Sequence, residues 1–94
     1  MGLYLTIPDI VESEVLHSLS PDHDGLTFRA VMDVGDTAVR LVRASELGEH
    51  IPLVVLTTDA QILALDSVYV TEASISGQQP YASFAFAAQA VRFV

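Results

Sequence analysis

The chain has no cysteine, no lysine and no tryptophan, and only four arginines stand against twelve aspartates and glutamates, a formal net charge of −8. Without cysteine there are no disulfides, no thiolate nucleophile and no Cys-based zinc site, and the redox compartment stays open. The shortage of cations argues against a nucleic-acid partner, which needs a basic stripe. Arg40 and Arg43 are close together, but Asp33, Asp36 and Glu46 flank them. An anionic membrane surface is disfavoured for the same reason. No apolar run approaches the ~18 residues of a membrane helix. No basic segment followed by an apolar one opens the chain, so no ordinary signal peptide is visible and synthesis in the cytoplasm is expected.

What is present is apolar. Half of the 94 residues (51%) are hydrophobic. A chain this short forms one domain, residues 1–94, and buries roughly two thirds of its unfolded surface. So large an apolar share predicts that some of it faces a partner subunit.

The patterning is that of strands. "LYLTI" (Leu3–Ile7) reads as a strand ended by Pro8. In "VESEVLHSLS", Val11, Val15 and Leu19 recur at helical spacing, which predicts a helical turn before the Pro21–Gly25 loop. "LTFRAVMDV" alternates, with Leu26, Phe28, Ala30, Met32 and Val34 on one face. Gly35-Asp36 then reads as a tight hairpin link into a second strand, "TAVRLVR", pairing Met32 with Val39 and Ala30 with Leu41. "ASELGEH" is the one expected helix, capped by Ser45 and ended by Gly48. "IPLVVLTTD" is continuously apolar, as a strand covered on both faces is, and Thr58–Ala60 is a turn. "QILALDSVYVTEASI" is a long strand bent near Asp66, "SGQQP" a turn, and "YASFAFAAQAVRFV" the last strand. Phe84 and Phe86 share a face, while Val91 and Phe93 have the opposite parity. The phase therefore slips within Ala87–Ala90, at a β-bulge or bend. The fold class is all-β: a barrel or sandwich of about six to seven antiparallel strands with one short helix.

No constellation carries chemistry. His17 and His23 lie near Asp22 and Asp24, but "DHD" lacks the convergent ligands of a zinc or calcium site. Glu12 and Glu14, two apart, diverge on either a strand or a helix and are no acid–base pair. Ser45, Ser67, Ser74, Ser76 and Ser83 lie in no nucleophile elbow, and no His is placed beside them by any motif. Five scattered glycines make no phosphate loop. The expectation is a protein that is no enzyme and holds no cofactor and no metal.

The order of motifs resembles the haemolysin-coregulated protein (Hcp) family, the tube subunits of bacterial type VI secretion systems. "YLTIPDI" is similar to its first strand and Ile-Pro-Gly-Ile segment, with Asp9 where the family has glycine. "ESEVLHSLSPDHDGLTFRAVM" resembles its acidic loop and next strand. Ala44, Ser45 and Leu47 match the Ala-Ser that leads into its helix. Val68, Val70, Thr71, Ser74, Ser76 and Gly77 fit an Asn-Val-x-Val-Thr-x-x-Ser-x-Ser-Gly pattern, and Ser83, Phe84 and Phe86 fit its closing strand. Two departures stand out. Gly35-Asp36 occupies the place of the family's long loop between its second and third strands, a loop that reaches the neighbouring ring. The family's helix is also longer than "ASELGEH".

The resemblance implies a β-barrel whose sheet edges join across copies of the chain into a ring, often a hexamer, with a central channel for small secreted effectors. Ring closure also removes exposed strand edges. The ribbon Val68–Val94 is expected to carry the contacts, with Val68, Val70, Phe84 and Phe86 as assembly residues. The localisation implied is the bacterial cytoplasm, with export through a contractile injection system. The alternatives are a non-enzymatic β-barrel binding or adaptor module and a phage tail-tube-like protein.

Overall fold

Six strands and one helix follow one another as β1 (Leu3–Ile7), β2 (Val11–Pro21), β3 (Thr27–Asp33), α1 (Asp36–Leu47), β4 (Ile51–Thr57), β5 (Ile62–Ile75) and β6 (Tyr81–Phe93). The computed structural model describes residues 2–75 and 80–94; Ser76, Gly77 and most of the expected "SGQQP" turn fall outside them. The strands close into an antiparallel barrel in the order β1-β2-β3-β6-β5-β4, with β4 returning to β1. The all-β barrel expected from the sequence is the one found.

The first turn places Asp9 in a conformation that favours glycine. Pro8 and Asp9 connect β1 to β2, the Ile10 N–H donates to the Ile7 carbonyl at 3.0 Å, and Asp9 has φ 67°. Proline second and a left-handed residue third is the type II pattern, which favours Gly or Asn at the third position.

The helical spacing of Val11, Val15 and Leu19 misleads, because these residues belong to β2. The β1 register shifts between Leu5↔Glu14 and Ile7↔Val11, which leaves one extra residue on β2. A second extra residue follows where Leu16↔Met32 gives way to Ser18↔Val31. Each bulge reverses the facing of the residues after it, so Val11 and Leu16 are buried and Val15 is exposed.

The Gly35-Asp36 hairpin is also overturned. Residues 36–47 form α1, which buries Ala38, Leu41 and Ala44 at a three-residue spacing. Val39 and Leu41 therefore pair with nothing on β3. Met32 lies opposite Leu16 on β2 and Ala82 on β6, and Ala30 opposite Leu19 and Phe84. The helix runs longer than "ASELGEH", which supplies its last turn. Ser45 lies in that turn and caps nothing at the N-terminus, where Gly35 makes no side-chain cap. Gly48 does end the helix, at φ 63°. Its N–H reaches the Ser45 carbonyl at 3.3 Å and the Glu49 N–H reaches Ala44 at 2.9 Å; these are the two bonds of a Schellman end. The short link between second and third strands is residues 22–26, closed by Asp22 N–H to the Thr27 carbonyl at 2.8 Å.

β4 buries Ile51, Val54 and Leu56 but leaves Leu53 and Val55 half-exposed, so its second face is only partly covered. The bend expected near Asp66 is at Ser67, φ 53°. Across it the core-facing residues of β5 change from Leu63 and Leu65 to Val68 and Val70. Their partners on β6 change with them, from Val91 to Ala88 and Phe86. The phase slip of the closing ribbon is thus real, and both strands share it without losing register. The register shift itself lies elsewhere, between Val70↔Phe86 and Glu72↔Ala85, with Thr71 as the extra residue.

Candidate functional site

The residues named as an assembly surface lie on the ribbon β5–β6, but their side chains point inward. Val68 and Phe86 are fully buried, and Phe84 and Val70 are at most 5% exposed. The Phe84 and Phe86 rings sit 6.4 Å apart inside the barrel. In the folded chain these four side chains make the core, and a neighbouring molecule would meet the outward positions of the same strands.

Those outward positions include large apolar groups. Val15 (55% exposed) on β2, Tyr69 and Ile75 on β5, and Tyr81 and Phe93 on β6 all face solvent. The strands also overshoot one another. β4 pairs with β5 only as far as Ile51↔Val68, so among the described residues Tyr69–Ile75 have no strand on that side. β3 pairs with β2 only from Leu16 onward, so Val11–Val15 likewise have none on theirs. Sequence alternation did not reveal these edges, because they depend on where each neighbour stops.

Two of the four arginines are paired across strands. Arg29 Nη1 lies 2.8 Å from Glu72 Oε2, with Asp22 3.6 Å from its Nε. Arg92 grips Asp66, Nε to Oδ2 at 2.7 Å and Nη2 to Oδ1 at 2.9 Å. These hydrogen bonds hold the Asp66 carboxyl below its ordinary range. The Leu26 and Thr27 N–H groups, at 2.9 and 3.0 Å, lower Asp24 in the same way and explain its place in the loop.

Of the residues weighed for chemistry, His23 sits in the exposed loop and His17 pairs with Asp33 at 2.7 Å beside Tyr81. Among the described residues no three His, Asp or Glu converge as metal ligands. Glu12 is exposed, and Glu14 is partly so. One contact escaped the sequence: His50 Nε2 lies 3.1 Å from Ser67 Oγ. The β4–β5 register brings them together across 17 residues, and no motif marks the pair. Among the described residues no carboxylate hydrogen-bonds to that imidazole, so a Ser–His pair exists without the third group that orients a nucleophile's base.

No protein-family model matches the chain, and no curated protein does. Solved structures do. Hcp2 from Salmonella typhimurium superposes with a TM-score of 0.85 at 15% identity, over 97% of this chain and 84% of that one. A type VI secretion system effector from Yersinia pestis gives 0.81 at 13% identity, over 98% and 96%. Hcp1 from Salmonella typhimurium gives 0.75 at 13% identity, over 96% and 83%. The chain has the Hcp fold over nearly its whole length.

Proposed function

We propose that the protein is a non-enzymatic, ring-forming subunit of the type VI secretion tube kind. Copies join through sheet edges around a central channel that carries small effectors. The observation that carries this reading is the pair of edges without a strand neighbour on one closed barrel, Val11–Val15 of β2 and Tyr69–Ile75 of β5. Two different edges on one molecule favour head-to-tail contact, and head-to-tail contact that closes on itself makes a ring. An added strand would satisfy the backbone groups along Val11–Val15 and those along Tyr69–Ile75 that α1, which packs against β5, leaves free. Exposed Val15, Tyr69 and Ile75 supply apolar cover beside them.

The likeness to Hcp structures supports the same reading. Synthesis in a bacterial cytoplasm and export through a contractile injection system follow from it. With the short 22–26 link, the ring is the expected assembly and a stack of rings needs a contact other than a long loop.

Light scattering coupled to size exclusion tests the proposal. A particle of several subunits, with a central hole in negative-stain images, is the expected result. A monomer at high concentration overturns it and leaves the binding-module alternative.

A further inference from the structure

We infer that the hollow between α1 and the β1–β2 turn is a binding site for a monocarboxylate carried on an apolar body. It is independent of the ring reading. The hollow has a volume of about 390 Å³, within the range of small-molecule sites. Ile7, Ile10, Leu41 and Ile51 form its aliphatic floor, and Arg40 and Arg43 stand on its rim.

The disposition of cations singles this place out. The chain has four arginines. Arg29 and Arg92 are neutralised by Glu72 and Asp66. Arg40 and Arg43 have no carboxylate at ion-pair distance among the described residues. They are three apart on α1 and so share a face. Arg40 is drawn over the hollow by a bond from Nη1 to the Ile10 carbonyl at 3.3 Å, and the Arg43 guanidinium makes no hydrogen bond among the described residues. In an acidic protein these are the two guanidinium groups left to receive an anion.

The floor decides what kind of anion. Ile10, 47% exposed at the edge of this floor, gives an apolar body surface to cover, and the guanidinium groups beside it can take the carboxylate in charge-assisted hydrogen bonds. Glu49 completes the rim, its backbone held by the Schellman bond to Ala44. Its charge, like the net charge of the chain, penalises a second negative charge on the ligand. An apolar monoanion is therefore preferred over phosphate or a dicarboxylate.

The probe is sodium octanoate, followed by saturation-transfer NMR and calorimetry, with acetate and 1-octanol as controls. Octanoate is expected to bind one site per chain. Acetate, lacking the body, and octanol, lacking the charge, should each bind at least about tenfold more weakly. Arg40→Gln/Arg43→Gln should weaken octanoate by at least about tenfold, while Glu49→Gln should bind it as tightly or more so. Both arginines are exposed, so the double variant should keep the wild-type melting temperature; should it not, the wild-type contrasts and Glu49→Gln still decide. No octanoate binding, equal binding of octanol, or an unchanged affinity in the folded double variant overturns the site. The particle size of the same sample reports separately on the ring.

Discussion

Arg92 holds Asp66 in a two-pronged grip diagonally across β5 and β6, one residue before the backbone turns left-handed at Ser67. Both partners are substantially exposed, so the pair adds little to stability in salt. Its effect is on acid behaviour. The hydrogen bonds from Arg92 hold the folded-state Asp66 carboxyl below the ordinary carboxylate value. The unfolded chain therefore takes up its proton first as pH falls. The pair's contribution is full above about pH 4 and is lost as pH drops through the folded value. Asp66→Asn should flatten the loss of melting temperature on acidification below that point, measured by circular dichroism from pH 7 to pH 2. Part of the slope should remain, because Asp24 is lowered independently by its backbone donors.

Asp9 sits at φ 67° in the third position of a type II turn, where a side chain costs energy that glycine does not. Asp9→Gly should stabilise the fold by up to about 1 kcal/mol, since the relief of strain is partly offset by glycine's larger unfolded entropy. Asp9→Ala keeps the Cβ and should give no such gain. Urea melts of the two variants against wild type measure the difference. A fall in stability for the glycine variant would show that Asp9 makes a compensating contact.

The sequence was readable wherever one face of a regular strand met the core, and opaque where the register broke. Phe28, Ala30 and Met32 alternate cleanly because β3 has a full-length neighbour on β6 and no bulge along that pairing. β2 hid itself by carrying two extra residues within eleven. "TAVRLVR" fits both periods, since Leu41 is apolar in either; only the burial of Ala38 and Ala44 with it separates helix from strand. The parity change near Ala87–Ala90 was visible, but its cause is on the partner strand, at Ser67. The four apolar positions expected to carry assembly are buried inside the barrel of the single chain, because apolarity at inward and outward positions looks alike until the register is known. The Ser67–His50 contact and the hollow under α1 are products of tertiary placement.

Phe84 and Phe86 are core residues by position, and their variants should behave as such. Phe86→Ala removes a fully buried ring and should cost about 3–5 kcal/mol. That is a large part of the 5–15 kcal/mol typical of a whole domain. Phe84→Asp places a charge in the same interior and should prevent folding. Circular dichroism and hydrogen exchange on the purified variants check both. A Phe84→Asp protein with wild-type melting would mean that the side chain reaches solvent or a partner.

The edges invite the opposite pattern: loss of assembly with the fold intact. Val15 and Ile75 face solvent beside strand edges that have no neighbour among the described residues. Lysine at either position keeps the strand but sets a charge where a second copy's strand would lie, the device that natural edges use against pairing. If copies assemble as proposed, Val15→Lys and Ile75→Lys should each shift the light-scattering mass from that of the proposed ring toward the monomer, with stability within about 0.5 kcal/mol of wild type. Val39→Lys, on the exposed face of α1, is the control and should leave the ring unchanged. The two edge variants should also complement each other poorly when mixed, since each supplies one sound edge and a closed ring needs both at every junction. A ring that forms normally in Val15→Lys and Ile75→Lys would move the contacts away from these edges, to outward groups such as Tyr81 and Phe93.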